Sequence, residues 1–161
     1  MIKVYSNMSL NNLKEMLKQE VKEITLQDLF KLSEHFREET QYLPEEYKKE
    51  YAESVQNVVV TRFTALKNDT KNYKGYLSQE DVENIEELVK TKDKIVEHIL
   101  SIITVYTIYL LQEPIHNIGT TFPGKLNVYK KGKYYYCPVK KYHIVNNKSL
   151  CKYCIAKIIE D

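Results

Sequence analysis

Apolar residues in the first two thirds of the chain recur at three- and four-residue intervals, the signature of helices that bury one face. After Ser9, whose hydroxyl suits an N-cap, Leu10, Leu13, Leu17, Val21 and Ile24 form one such stripe. Thr25 restarts the pattern. With Asp28 three residues on it reads as a capping box, and Leu26, Leu29, Phe30 and Phe36 are expected to face inward. Pro44, followed by Glu45 and Glu46, suits the first turn of a third helix, because the carboxylates meet the positive end of the helix dipole. Its stripe runs Tyr47, Tyr51, Val55, Val58, Val59 and Leu66, and the polar run 67–76, with Gly75, ends it. Ser78, Gln79, Glu80 and Asp81 open what reads as the longest helix, which turns uncharged and apolar from Ile99 to Leu111 and stops before Pro114.

That apolar run, bounded by Glu97, His98 and Glu113, falls short of the roughly 17–25 residues a membrane span needs. It is expected instead to be the central buried helix on which the other three pack. Beyond Pro114 the texture changes. Leu126 to Val139 carries Val128, Tyr129, a Lys130-Lys131-Gly132-Lys133 turn and Tyr134 to Tyr136, a β-hairpin with glycine at a positive-φ position. A short helix is expected from about Ser149 to Ile159. The expected fold is mainly α: a four-helix domain over residues 1–113, with a small hairpin and short helix over residues 114–161 organised around a metal site and packed on it as one compact unit.

The chain's 161 residues, 43% of them apolar, suffice for one domain with a real core. The first ten residues hold no apolar run of signal-peptide length, so a cytoplasmic protein with reduced thiols is expected. Lysine far outnumbers arginine, which occurs only at Arg37 and Arg62. The net charge of +2 hides an asymmetry: residues 114–161 hold nine lysines against only Glu160 and Asp161, so the tail is a basic patch.

An odd cysteine count in a reducing compartment points to ligands or reactive thiols, not staples. Cys137, Cys151 and Cys154 stand as one cysteine followed by a C-x-x-C pair, with His116 and His143 as neighbouring nitrogen donors. Two thiolates from one turn and a third leaving a hairpin strand supply three corners of a tetrahedron, and a histidine would close it. Zinc fits this set better than an iron–sulfur cluster, which ordinarily takes a fourth cysteine. A hairpin and one short helix are also too small to fold unaided, and structural zinc contributes on the order of 10–16 kcal/mol. The competing reading is a pair of free thiols: a cysteine beside Lys148 and Lys152 could have a lowered pKa and exchange disulfides, although the βαβ context of such motifs is missing. Spacing does not choose between His116 and His143. His35 with Glu39 and Glu97 with His98 lack the Glu-x-x-His pairs of a helix-bundle di-metal site and read as core or surface histidines.

The tail lysines, among them Lys130, Lys131, Lys133, Lys140 and Lys141, interleave with Tyr129, Tyr134, Tyr135, Tyr136, Tyr142 and Tyr153. Cations that neutralise phosphates, beside rings that accept bases, make a surface for single-stranded nucleic acid. The plainer reading is a solvated lysine face over aromatic packing, or lysines that offset the negative charge of three thiolates on zinc.

Three stretches carry a family resemblance: His116-Asn-Ile-Gly119-Thr120-Thr-Phe122-Pro123-Gly124, Tyr135-Tyr136-Cys137-Pro138-Val139-Lys140, and Leu150-Cys151-x-x-Cys154-x-Ala156. With Tyr42-Leu43-Pro44-x-x-Tyr47, they resemble an uncharacterised family of archaeal proteins found largely in methanogens. The resemblance spans most of the chain and implies a cytoplasmic archaeal protein without an established activity. It makes His116 look like the family's histidine before Gly-Thr-x-Phe-Pro-Gly, and so favours His116 over His143 as the fourth ligand. Asn117 stands where proline is expected, and Lys125 where a further glycine is usual. The function expected is a zinc-stabilised binding or interaction protein. The alternative is a metalloenzyme whose metal keeps three cysteines and an open position, with His116 as acid or base.

Overall fold

The computed structural model describes residues 2–90, 94–116, 120–122, 126–144 and 150–159; the side chains of Glu39, Thr121, His143 and Leu150 are outside that description. Five substantial helices form the body: α1 (Leu10–Lys22), α2 (Leu26–Glu39), α3 (Glu45–Lys67), α4 (Gln79–Val89) and α5 (Ile95–Val105). The last continues as a π-helical turn over Tyr106–Leu111. The tail holds β1 (Thr121–Phe122), β2 (Leu126–Asn127), β3 (Tyr129–Lys131), β4 (Tyr134–Cys137), α6 (Lys140–His143), a 3-10 turn (Leu150–Tyr153) and β5 (Lys157–Ile158).

The helix starts follow the caps in the sequence. Ser9 accepts from the Asn12 amide, and Thr25 with Asp28 and Ser78 with Asp81 form complete capping boxes. Pro44 precedes the first turn of α3 without a side-chain cap. The apolar α5 lies at the centre and touches each of α1 to α4. Ile99, Ile102 and Val105 meet Leu13 and Leu17 of α1, Leu32 of α2, Leu66 of α3 and Ile85 of α4 in one buried cluster. No helix among the described residues is long and apolar enough to cross a membrane.

Three expectations are corrected. The helix opened by Ser78 does not run to Leu111: it ends at Val89, where the Lys90 backbone turns extended, and α5 starts at Ile95. Residues 90–94 contain no apolar side chain, so one continuous helix would turn charged residues into the core. Among the described residues the longest helix is therefore α3, with 23 residues. In α2, Leu26 and Phe30 are 75% and 72% exposed, and the buried stripe is Leu32 and Phe36 with Leu29 beside them. The capping box fixes where α2 starts, and the face it buries is chosen by the neighbours it meets. Finally, no helix spans Ser149 to Ile159. The C-x-x-C forms a 3-10 turn, and Lys157–Ile158 pairs in parallel with β4. The connection from β4 to β5 is long enough for the crossover that parallel pairing requires.

The expected hairpin is present. Tyr129 pairs with Tyr136 and Lys131 with Tyr134, joined through Gly132 at φ +63°. A left-handed glycine at the first of two loop positions is the type II′ pattern, whose twist matches the strands. With β5 the tail has a three-stranded sheet, and β1 and β2 pair separately.

The loop after α3 is fixed by a buried carboxylate. Asp69 accepts from the Tyr73 and Tyr106 hydroxyls, both at 2.6 Å, and from the Lys71 amide at 2.9 Å. Burial opposes its ionisation, but these donors and the nearby Lys14 outweigh that and hold its pKa below the ordinary carboxylate value. Burial and the same carboxylate push the Tyr73 hydroxyl up to about 12. Because the folded pKa is depressed, the stability Asp69 contributes is complete above the unfolded value near 3.9 and is lost as pH falls through the folded one. Asp69→Asn is expected to cost about 1–3 kcal/mol at neutral pH in denaturant titrations and to flatten the acid limb of the stability–pH curve.

Candidate metal centre

The tail's candidate donors reach one place from three directions. Cys137 ends β4 on the same face as Tyr135, the face turned toward the small buried cluster of Phe122, Val128 and Ala156. The chain then turns sharply through Pro138, so that the Val139 and Lys140 amides donate to the Cys137 sulfur. Cys151 lies in the 3-10 turn and Cys154 follows it, with the Cys154 amide on the Cys151 carbonyl at 3.2 Å. The Cys154 sulfur accepts from the Ile115 amide at 3.3 Å. Amide donors aimed at sulfur stabilise thiolate over thiol, which is what a metal-bound cysteine requires.

His116 follows that same amide. Its Nε2 shares a 3.1 Å hydrogen bond with the Tyr51 hydroxyl of α3, and its ring meets Phe122 edge-on at 5.2 Å. With Nε2 oriented in this way, Nδ1 is the nitrogen that would take a metal.

Arg62 sets the position of all this. Its guanidinium is buried on α3 and donates to the Pro114 carbonyl at 2.8 Å and the Ile115 carbonyl at 2.9 Å, with Glu113 at 3.5 Å. Burial lowers its pKa from the ordinary arginine value, and Glu113 and Cys154 act against that shift. The two carbonyls point into α3, which leaves the Ile115 amide for Cys154 and delivers His116 to Tyr51. Lys140 acts in the same way from the other side, donating to the Cys154 carbonyl at 2.8 Å and the Ala156 carbonyl at 2.6 Å.

Cys137, Cys151, Cys154 and His116, together with Tyr51 and Arg62, all line one cavity of about 700 Å³ between the helices and the tail. Among the described residues, no three His, Cys, Asp or Glu side chains are drawn tightly enough to hold one ion as they stand. The donor set fits a thiophilic metal in kind, and an ion would have to pull the facing sulfurs together. Burial, the first cause, raises the Cys137 pKa, and the charges of Cys154 and Cys151 add to it against the two amides. Without metal, Cys137 is thus a protonated thiol and a poor nucleophile. Lys152, one of the lysines that would activate a free thiol, is turned away onto Glu87 of α4 at 2.9 Å.

The chain matches, over residues 9–158, the family described as uncharacterized protein conserved in archaea (DUF2115). It belongs to that family. A UPF0305 protein of Methanothermobacter thermautotrophicus is 32% identical over 153 residues, covering 88% of this chain and 92% of the relative. UPF0305 protein MJ0646 of Methanocaldococcus jannaschii is 27% identical across 96% of this chain and 99% of its own length. UPF0305 protein MmarC7_1691 of Methanococcus maripaludis is 28% identical over 158 residues, 90% of this chain and 94% of the relative. No solved structure matches.

Within this DUF2115 chain, His116 lines the cysteines' cavity. His143 lies in α6, with its side chain outside the described set, as are residues 117–119 and 123–125 of the Gly-Thr-x-Phe-Pro-Gly stretch. His35 lines a part of the same cavity, whereas His98 pairs with the buried Glu20 at 3.2 Å. Sequence reading missed Arg62 and Tyr51 as parts of the site. One signal was available: an arginine kept among so many lysines suggests a place where a planar fork is needed.

Arg62→Lys should therefore not be conservative. An ammonium cannot span both carbonyls, so the substitution is expected to lower stability by about 1–3 kcal/mol. Amide exchange should quicken at residues 113–116 and 151–158 well before it changes in α1 or α4, as read by hydrogen–deuterium exchange.

Proposed function

We propose that this DUF2115 protein is a zinc-stabilised binding protein that offers the outer face of its tail sheet to single-stranded nucleic acid. The observation that carries the binding part is the composition of that face. Strand register puts Tyr129, Lys131, Tyr134, Tyr136 and Lys157 on one side of β3-β4-β5, opposite the side that carries Cys137. Tyr129 and Tyr134 are 41% and 42% exposed. Tyr129 stacks on Tyr136 with ring centroids 5.3 Å apart, and the Lys157 ammonium lies 3.9 Å from the Tyr134 centroid. Exposed rings in a ladder accept bases by stacking, and the lysines at their edges meet phosphates. Lys130, opposite Tyr135, lies on the side that carries Cys137, whereas Lys131 and Lys133, at the turn, belong to this surface. Lys140 does not, because its ammonium is spent on the carbonyls of Cys154 and Ala156.

The metal part is supported by the smallness of the tail's own core and by its donors. Phe122, Val128, Cys137 and Ala156 are its buried apolar residues among those described, too few to hold a sheet in register. Zinc on Cys137, Cys151, Cys154 and His116 would tie β4, the C-x-x-C turn and the loop after α5 into one unit. Arg62 and Lys140 would offset the negative charge of three thiolates. A second reading, a metalloenzyme with an open metal position and His116 as acid or base, is favoured by one observation, the cavity that opens beside the donors.

The following outcomes are expected. Protein purified without added metal carries close to one zinc per chain, and chelation or Cys151→Ser exposes the tail to protease while α1 to α5 stay folded. His116→Ala weakens zinc retention more than His143→Ala does; full retention in His116→Ala would favour the enzyme reading. On the outer face, oligothymidylate binding should fall steeply with salt, and Tyr134→Ala should weaken it by about 1–3 kcal/mol without loss of zinc. No binding at low salt would contradict the nucleic-acid assignment.

A further inference from the structure

Protein interiors leave few voids larger than a water molecule, so a cavity of about 700 Å³ is not a packing defect, and its volume falls within the range of small-molecule pockets. Its walls are aliphatic and aromatic: Val55 and Val58 of α3, Leu100 and Ile103 of α5, and Phe122 and Val128 of the tail. Three threonine hydroxyls on these walls are already committed. Thr104 donates to the Leu100 carbonyl, Thr107 to that of Ile103 and Thr40 to that of Phe36, each at 2.7 Å. Two cations among the described residues reach it, Arg62 and Lys140, and both are bound to backbone carbonyls at the thiol end. Among the described residues no Asp or Glu lines it, so no carboxylate there would compensate a cationic ligand.

The backbone beside the cavity is also unusual. Thr107 lies in the π-helical turn Tyr106–Leu111, which ends on Gln112 in the left-handed region at φ +55°. The stretch contains neither glycine nor proline and would ordinarily continue as an α-helix. π-Turns inside helices recur at functional sites because they widen the helix where a wall must be shaped, and a non-glycine residue at positive φ is uncommon.

We propose that this cavity is a binding site for one uncharged, largely apolar small molecule, held between α3, α5 and the tail. Contact with the valine, leucine and isoleucine walls supplies the affinity, and the Tyr51–His116 pair offers the polar contact that orients it. The site does not require the nucleic-acid reading, and helices and tail contribute its apolar walls alike.

The full chain is titrated with the neutral fluorophore phenylnaphthylamine, with zinc content measured on the same samples. Saturable binding at one site per chain is expected. Val58→Trp fills the cavity and should weaken binding by roughly tenfold or more, about 1.4 kcal/mol for each tenfold. Val60→Trp, on the exposed side of the same helix, should change it by less than about twofold. Circular dichroism confirms that each variant folds, and Val55→Phe replaces Val58→Trp if the latter does not. Non-saturable partitioning, or saturable binding that the filled cavity leaves intact, overturns the proposal.

Discussion

The buried guanidinium of Arg62 is the contact through which the helical body positions everything beyond residue 113. The loop after the π-turn has to leave the core while its carbonyls are still shielded from water, and an unpaired buried carbonyl costs about 1–3 kcal/mol. Arg62 takes the Pro114 and Ile115 carbonyls with two nitrogens of one planar group. Once those oxygens point into α3, the Ile115 amide faces Cys154 and the His116 ring falls against Tyr51 and Phe122. A charge buried in this way is tolerated because it is bonded and has Glu113 beside it. Its field also reaches Cys154, where thiolate character would be needed.

The tail repeats this economy of contacts. Its sheet is thin, with an inner face that reaches Cys137 and an outer face of tyrosines and lysines. Alternation along β4 separates the two proposed roles by one residue: Tyr135 and Cys137 face the cluster, and Tyr134 and Tyr136 face outward. A slip of one residue would exchange them. The Gly132 turn, the parallel pairing with β5 and the Lys140 bonds to the Cys154 and Ala156 carbonyls all set that register. A metal across Cys137, Cys151 and Cys154 would fix it further.

Much of the helical body is legible in the sequence because caps and periodicity are local signals. Ser9, Thr25 with Asp28, and Ser78 with Asp81 mark their helix starts, and the Ile99–Leu111 stretch identifies the central element. What local signals do not contain is which of two apolar faces wins. Leu26 and Phe30 lie on the losing face of α2, and Tyr47 to Val58 of α3 pack less deeply than Val59, Phe63 and Leu66. The break after Val89 was written in the charged run that follows it. The terminal segment is ambiguous in sequence because a C-x-x-C turn followed by Ile-rich residues fits a short helix as well as a turn and strand, and the choice is made by β4, a partner strand distant in the chain. For the candidate site, the three cysteines stand out by type and spacing, whereas His116 is favoured over His143 only by the family resemblance. Tyr51 and Arg62 do not stand out, since their role exists only once α3 lies beside the tail.

The central claim is that the three cysteines and His116 share one zinc. X-ray absorption at the zinc edge of protein purified without added metal tests it most directly. The account predicts a four-coordinate shell of three sulfurs at about 2.3 Å and one nitrogen at about 2.0–2.1 Å, with the nitrogen lost in His116→Ala. A shell of oxygen and nitrogen alone, or iron with sulfide in its place, would contradict it.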